Sequence, residues 1–188
     1  MINTIYDLAI INYGMGNLLS IQSAAESVGL RTIVTNEKKI IEKAKSLLLP
    51  GVGAFNQAMK NINKYDIKKS IFDFNRKGKP IIGVCLGMQL FFEESNEIKK
   101  TKGLGLIKGT VSSLTKNNRK KKVDINIGWS KINIMNNYGS NLSDNLNNKK
   151  FNFIHKFSCR PKSKNVTIAM SSFSNIEFSA AVKYKNIE

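Results

Sequence analysis

The stretch Lys79-Pro-Ile-Ile-Gly-Val-Cys-Leu-Gly-Met-Gln-Leu-Phe-Phe-Glu94 limits the fold more than any other in the chain. Ile81-Ile-Gly-Val84 has the length and composition of a short, fully buried strand. Cys85 follows with no spacer, framed as Gly83-x-Cys85-x-Gly87, and a helical pattern then runs from Met88 to Glu94. A strand, a sharp turn and a helix with small residues on both sides of a nucleophile form an elbow, here presenting sulfur. The glycines are needed because a tight turn leaves no room for a Cβ beside the nucleophile. A thiol at a helix N-terminus is expected to favour the thiolate, its reactive form. The plainer alternative is a buried structural cysteine. The flanking glycines and the strand-to-helix switch favour the nucleophile.

The chain ahead of this elbow alternates between short apolar runs and helical patterns. Leu8–Ile11 reads as a first, buried strand, and Arg31–Thr35 and Ser46–Leu49 as a second and a third. Helical spacing covers Asn17 to Ser27, with Leu18, Ile21, Ala25 and Val28 on one face, then Glu37 to Lys45, Phe55 to Ile62 and Ile67 to Lys77. Such alternation argues for an α/β fold with a central parallel sheet flanked by helices. In sheets of this kind, ligands sit beyond the C-terminal ends of the strands. That rule places the loops at Tyr13, Gly51 and Cys85 on one rim.

The second half is different. Val111–Leu114, Val123–Ile127, Lys131–Ile134, Phe151–Ile154, Val166–Met170 and Phe178–Tyr184 are short and β-like, separated by turns rich in Asn, Gly and Ser. They predict a mixed or antiparallel β extension of one domain spanning residues 1–188. Asn136 to Lys150 is the least ordered part by composition. Gly103-x-Gly105-x-x-x-Gly109 lacks the strand–loop–helix context of a dinucleotide fingerprint.

A net charge of +17 invites a nucleic-acid reading, but arginine, the residue of bidentate base readout, is scarce beside lysine. Arg119-Lys-Lys-Lys122 is expected to be a solvated loop, with an acidic partner surface or phosphorylated substrate as the alternative. Nucleic acid is therefore not expected as a partner. Neither is a membrane, since no apolar run reaches spanning length and no signal peptide is visible. The two cysteines, Cys85 and Cys159, make neither a disulfide framework nor a metal-ligand pattern. This suits a reducing cytoplasm, and no metal or cofactor is expected.

Asn12-Tyr-Gly-Met-Gly-Asn-Leu-Leu-Ser-Ile21, Pro50-Gly-Val-Gly-Ala-Phe55, Gly83-Val-Cys-Leu-Gly-Met-Gln-Leu90 and Gly103-Leu-Gly-Leu-Ile107 resemble the motifs of the class I glutamine amidotransferases. The Asn12–Ile21 motif narrows the resemblance to the glutaminase subunits of imidazole glycerol phosphate synthase, in histidine biosynthesis. Gly128-Trp129 and Phe153-Ile-His155 fall where those subunits carry similar motifs. The resemblance implies a flavodoxin-like core and a heterodimer with a (β/α)8-barrel cyclase, with L-glutamine as substrate. It implies Cys85 as nucleophile and backbone N–H groups of Leu86, Val52 and Gly53 around the oxyanion. Gly51, Gln89 and Glu97 would bind glutamine. Taken alone, Gln89 is an ordinary helix residue and Glu97 a solvated carboxylate. Asn12, Gly16, Asn17 and His155 would face the cyclase.

The family's general base is a histidine in a Phe-His-Pro-Glu motif near the C-terminus, and this sequence stops at Lys183-Tyr-Lys-Asn-Ile-Glu188, where that motif would begin. The single histidine, His155, matches another position and reads as structural rather than as the base. A C-terminally truncated amidotransferase of weak activity is expected. The alternatives are a paralogue supplying ammonia to a surface-polysaccharide sugar amidotransferase, and a non-catalytic pseudo-glutaminase scaffold.

Overall fold

The computed structural model describes residues 5–115, 125–135 and 146–188. They form two compact units, one comprising the chain up to Phe91 together with Lys185–Glu188, the other Phe92–Tyr184.

The first unit is built on four parallel strands, β1 (Leu8–Ile11), β2 (Thr32–Thr35), β3 (Ser46–Leu49) and β4 (Ile81–Gly83), in the order β2-β1-β3-β4. Registers pair Leu8 with Thr32 and Ser46, and Leu47 with Ile81. Parallel strands covered on both faces are continuously apolar, and all four residues of β1 are buried. Five helices join or follow these strands: α1 (Leu18–Ser27), α2 (Lys38–Lys43), α3 (Phe55–Lys64), α4 (Lys68–Arg76) and α5 (Leu86–Leu90). α3 buries Phe55, Ala58, Met59 and Ile62, the i, i+3, i+4, i+7 stripe of an amphipathic helix. Leu18, Ile21 and Ala25 of α1 pack on Leu8, Ile10 and Leu48. On the outer side of β4, Ile187 makes a parallel bridge to Ile81, and Gly83 N donates to Glu188 O at 2.8 Å.

This is the flavodoxin-like arrangement, in which strand order reverses between β1 and β3 and opens a crevice at their C-terminal ends. The opposite end carries charge. Asp7, just before β1, accepts from Lys45 at 2.7 Å and from the Arg31 backbone at 3.0 Å. These partners, Lys45 first, hold its carboxyl down to about 2.

The second unit contains two four-stranded sheets. One runs β10 (Phe157–Pro161), β7 (Ile107–Ser113), β5 (Phe92–Ser95), β6 (Thr101–Lys102), with β5 and β7 parallel and the other pairs antiparallel. The other is wholly antiparallel: β12 (Ile176–Val182), β11 (Thr167–Phe173), β8 (Asn126–Ile134), β9 (Lys150–His155). The mixed and antiparallel character expected of this half is present.

Several elements differ from the sequence reading, and β7, for one, starts at Ile107 rather than Val111. The helix after Cys85 ends at Leu90, and Phe92–Ser95 is a strand with Phe92 and Ser95 buried. The helical pattern expected through Glu94 gave way to pairing of Phe92 with Ile107 and Glu94 with Lys102. The separate strands expected around Ile127 and Lys131 are one strand, because Gly128, Trp129 and Ser130 all pair with β9. Phe157–Pro161, read as connecting chain, is a strand beside β7. Arg119–Lys122, Val123, and Asn136 to Asp144 with Asn145 lie outside the described residues.

Candidate active site

Cys85 stands between β4 and α5 with φ 53° and ψ −109°, a backbone conformation that an L-residue adopts only under constraint. The constraint is visible in the glycines around it. A Cβ on Gly87 would overlap the carbonyl oxygen of Leu49 in β3, and one on Gly51 would overlap Gly87 N and the Leu86 side chain. A Cβ on Gly83 would lie 2.6 Å from Met88 N and also against the Phe91 ring. Three strand-end segments therefore press together at backbone distance, and the turn at Cys85 has no slack.

The thiol reaches solvent, whereas Cys159 is buried in β10. Burial by the surrounding loops pushes the Cys85 thiol above its ordinary pKa, and the Leu86 N–H, which hydrogen-bonds it, pulls the other way. The thiolate expected from the helix N-terminus is thus not favoured in this state. α5 is only 5 residues long, too short for its end to outweigh desolvation.

The loop after β3 passes directly in front of the elbow. Pro50 and Gly51 are buried, while Gly53 is exposed and the Val52 side chain is 67% exposed. The loop after β1 lies against it. Tyr13 is fully buried and its hydroxyl donates to the Pro50 carbonyl. Burial and the neighbouring Cys85 both raise the Tyr13 phenol, which therefore stays protonated. A Cβ on Gly16 would sit 3.1 Å from Pro50, and one on Gly53 would collide with the Met15 methyl. Sequence reasoning placed this loop on the rim, and the resemblance turned it toward a partner, but neither linked Tyr13 or Met15 to the loop facing Cys85. A tyrosine directly after a buried strand was the available signal, since its hydroxyl must find a partner.

The family model described as glutamine amidotransferase class-I covers residues 9–187. The chain belongs to the class I glutamine amidotransferases. Among curated relatives, "Imidazole glycerol phosphate synthase subunit HisH" of Geobacter metallireducens is 37% identical over 183 residues, covering 96% of this chain and 86% of that protein. The protein of the same description from Oceanobacillus iheyensis is 38% identical over 170 residues, covering 90% and 82%. A crystal structure of a glutamine amidotransferase superposes with a TM-score of 0.66 at 16% identity, over 92% of this chain and 88% of that one. The structure of PurLQS from Thermotoga maritima gives 0.64 at 15%, over 96% and 83%. These two likenesses bear on fold alone.

In this amidotransferase Gln89 is half-buried on α5, its backbone N–H bonded to Cys85 O at 3.1 Å. Glu97, half-buried just after β5, belongs to the second unit, and its N–H meets Ser95 Oγ at 3.2 Å. Asn12 and Asn17 have local work. Asn12 Oδ1 accepts from Gly14 N at 3.0 Å, and Asn17 caps α1 by accepting from Ser20 N at 3.4 Å. Among the described residues no group of His, Cys, Asp and Glu could hold a metal ion. No helix there is long and apolar enough to cross a membrane.

His155 closes β9 in the second unit. Its Nδ1 lies 2.9 Å from the Phe157 carbonyl, which can only accept, so Nδ1 carries the proton. Nε2 then accepts from the Asn126 amide at 3.0 Å. Both ring nitrogens are committed, and neither is left to take a proton from a thiol. Burial between Phe153 and Phe178 pulls the His155 pKa below its ordinary value, against the Phe157 carbonyl, which raises it. A lowered folded-state pKa contributes stability that is full above the ordinary histidine value and is lost as pH falls through it toward the folded one. Protonation also sets Nε2–H against the Asn126 amide donor. We expect the urea midpoint to fall between pH 7 and pH 5, and the fall to flatten in His155→Gln. Equal pH slopes for the two proteins would contradict this geometry.

Proposed function

We propose that the chain is the glutaminase subunit of an imidazole glycerol phosphate synthase, residues 1–188 forming one amidotransferase domain. The Cys85 thiolate attacks the side-chain amide carbon of glutamine, and the carbonyl becomes a tetrahedral oxyanion. N–H groups of Leu86, Val52 and Gly53 receive that charge. The C–N bond then breaks as its nitrogen takes up the proton that the Cys85 thiol gave up, ammonia leaves, and water hydrolyses the thioester to glutamate, its second hydrogen returning to the sulfur. Gly51, Gln89 and Glu97 are assigned to glutamine's polar groups. His155, with both nitrogens bonded, is not the proton carrier.

The observation that carries this reading is the Cys85 backbone, held at φ 53° by glycine packing from three loops. Such strain persists where function needs the side chain displayed.

A partner is supported separately. β8 and β9 present Ile127, Trp129 and Ile154 at 60%, 68% and 64% exposure, with Ile127 and Ile154 directly opposite each other. A contiguous apolar face of this kind marks an interaction surface. We assign it, with Asn12, Gly16, Asn17 and His155, to a (β/α)8-barrel cyclase that takes up the ammonia, in the cytoplasm.

The test is genetic and biochemical together. The chain is expressed in a histidine auxotroph lacking its own subunit of this kind, and glutamate release is measured with and without a purified cyclase. Slow growth without histidine and weak release, stimulated roughly tenfold or more by the cyclase, are expected, since the family's histidine base is not in this sequence. Complex formation without growth would move the reading to the polysaccharide paralogue. No complex at all would overturn the partner assignment.

A further inference from the structure

The Tyr13 hydroxyl joins two loops separated by 37 positions in sequence. It donates to the carbonyl of Pro50, a buried residue whose own nitrogen carries no hydrogen. In a trans peptide the carbonyl and the following N–H point in opposite directions within one plane. Holding the Pro50 carbonyl therefore fixes the direction of Gly51 N–H and the plane from which the next two peptides start. The far end of the same loop is braced by Met15, whose methyl fills the space where a Gly53 side chain would stand. On its other side Gly51 touches Leu86 and Gly87 of the elbow. The loop facing Cys85 is thus clamped between the nucleophile's helix and the loop after β1, and Tyr13 supplies a buried polar fastening of that clamp at Pro50.

We propose that Tyr13 is a positioning residue for acyl transfer at Cys85, its hydroxyl setting the peptide plane from which the Gly51–Gly53 loop offers N–H groups to the oxyanion. The proposal rests on the glutaminase reading. It differs from that reading in assigning catalytic consequence to a group that never touches substrate.

Two reactions at one sulfur separate this role from a structural one. With γ-glutamyl p-nitrophenyl ester the thiolate adds to the acyl carbon through an oxyanion. The C–O bond then breaks and p-nitrophenolate leaves with its electron pair, needing no proton. With iodoacetamide the same thiolate displaces iodide directly and no oxyanion forms. Tyr13→Phe is expected to slow the p-nitrophenolate burst roughly 10–100-fold, somewhat less than loss of an oxyanion donor itself. Alkylation of Cys85 is expected to stay within about twofold, since thiolate access and basicity set its rate. Acylation and alkylation falling together, or neither changing, would overturn the proposal. Absence of any burst in the unaltered chain would overturn the glutaminase reading instead. Should Tyr13→Phe unfold, p-aminophenylalanine at position 13 restores a donor at the same point of the ring. A burst within about threefold of the unaltered chain is then expected, and a loss of tenfold or more would sink the proposal.

Discussion

Replacing Cys85 by alanine is expected to remove acyl-enzyme formation altogether, a loss of roughly 10⁴-fold or more in the p-nitrophenolate burst, as when a covalent nucleophile is deleted. The second sulfur cannot take over, because Cys159 is buried in β10. The same site makes a stability prediction of opposite sign. Cys85 is held at φ 53°, where any Cβ is strained. Cys85→Gly relieves that strain and Cys85→Ala does not. The glycine variant is expected to unfold at higher urea than the alanine variant, by about 1–2 kcal/mol, although glycine normally costs a folded chain backbone entropy. Equal midpoints would mean that the elbow is relaxed, and the main support for a nucleophile would be gone.

Gly87→Ala is expected to be the most damaging single methyl in the first unit. In most helices this exchange gains about 1 kcal/mol from propensity. Here the new Cβ would overlap the Leu49 carbonyl oxygen, which accepts from Val84 N at 3.0 Å and so holds the strand that delivers Cys85. Backbone cannot retreat as a side chain can. Overpacking of about 3 kcal/mol or more outweighs the propensity gain. Gly78→Ala is the control. Gly78 has φ +71° but nothing within 4 Å of its Cβ position, so a loss of only about 1 kcal/mol is expected. Urea denaturation of both variants measures the difference. A Gly87→Ala protein no less stable than Gly78→Ala would show that the elbow is loosely packed.

How legible all this was in the sequence depended on which force set each element. The strands β1 and β3 stood out because both faces are covered, which demands uninterrupted apolar residues such as Leu8–Ile11. β4 was legible from the same apolar signal, but the full burial expected of Ile81–Val84 is not found, because the strand lies at the end of the four-stranded order and leaves Ile82 and Val84 exposed. α3 was legible for the complementary reason, its buried residues keeping a strict helical period. Phe91-Phe-Glu-Glu94 misled because two aromatics followed by two acids suit a helix face and a half-buried strand equally. The choice was made by β7, whose Ile107 lies 15 residues beyond Phe92 and pairs with it. β10 was hidden by Arg160 and Pro161, residues that punctuate most strands. Pro161 sits at the last position of the ladder, opposite Gly109. At the site, Cys85 and its glycines were legible because their spacing is the geometry. The upward push of desolvation on the Cys85 thiol was not, because it depends on which segments pack around the sulfur. Nor was the Tyr13–Pro50 bond, which depends on two strands lying side by side.

The outer edge of β4 is finished by Asn186–Glu188, and the Asn186 side chain reaches Lys79 O across 107 positions. Phe92–Tyr184 is thus an excursion between two neighbours in one sheet. A chain emerging residue by residue from the ribosome can complete β1 to β3 early, but the strand leading into Cys85 keeps a bare edge until residue 188 has been made. Closing so long a loop is slow. The strand leading into the elbow therefore gains its edge partner only after all of residues 92–184 have been made, so the sheet around Cys85 is completed by the last of these segments to emerge.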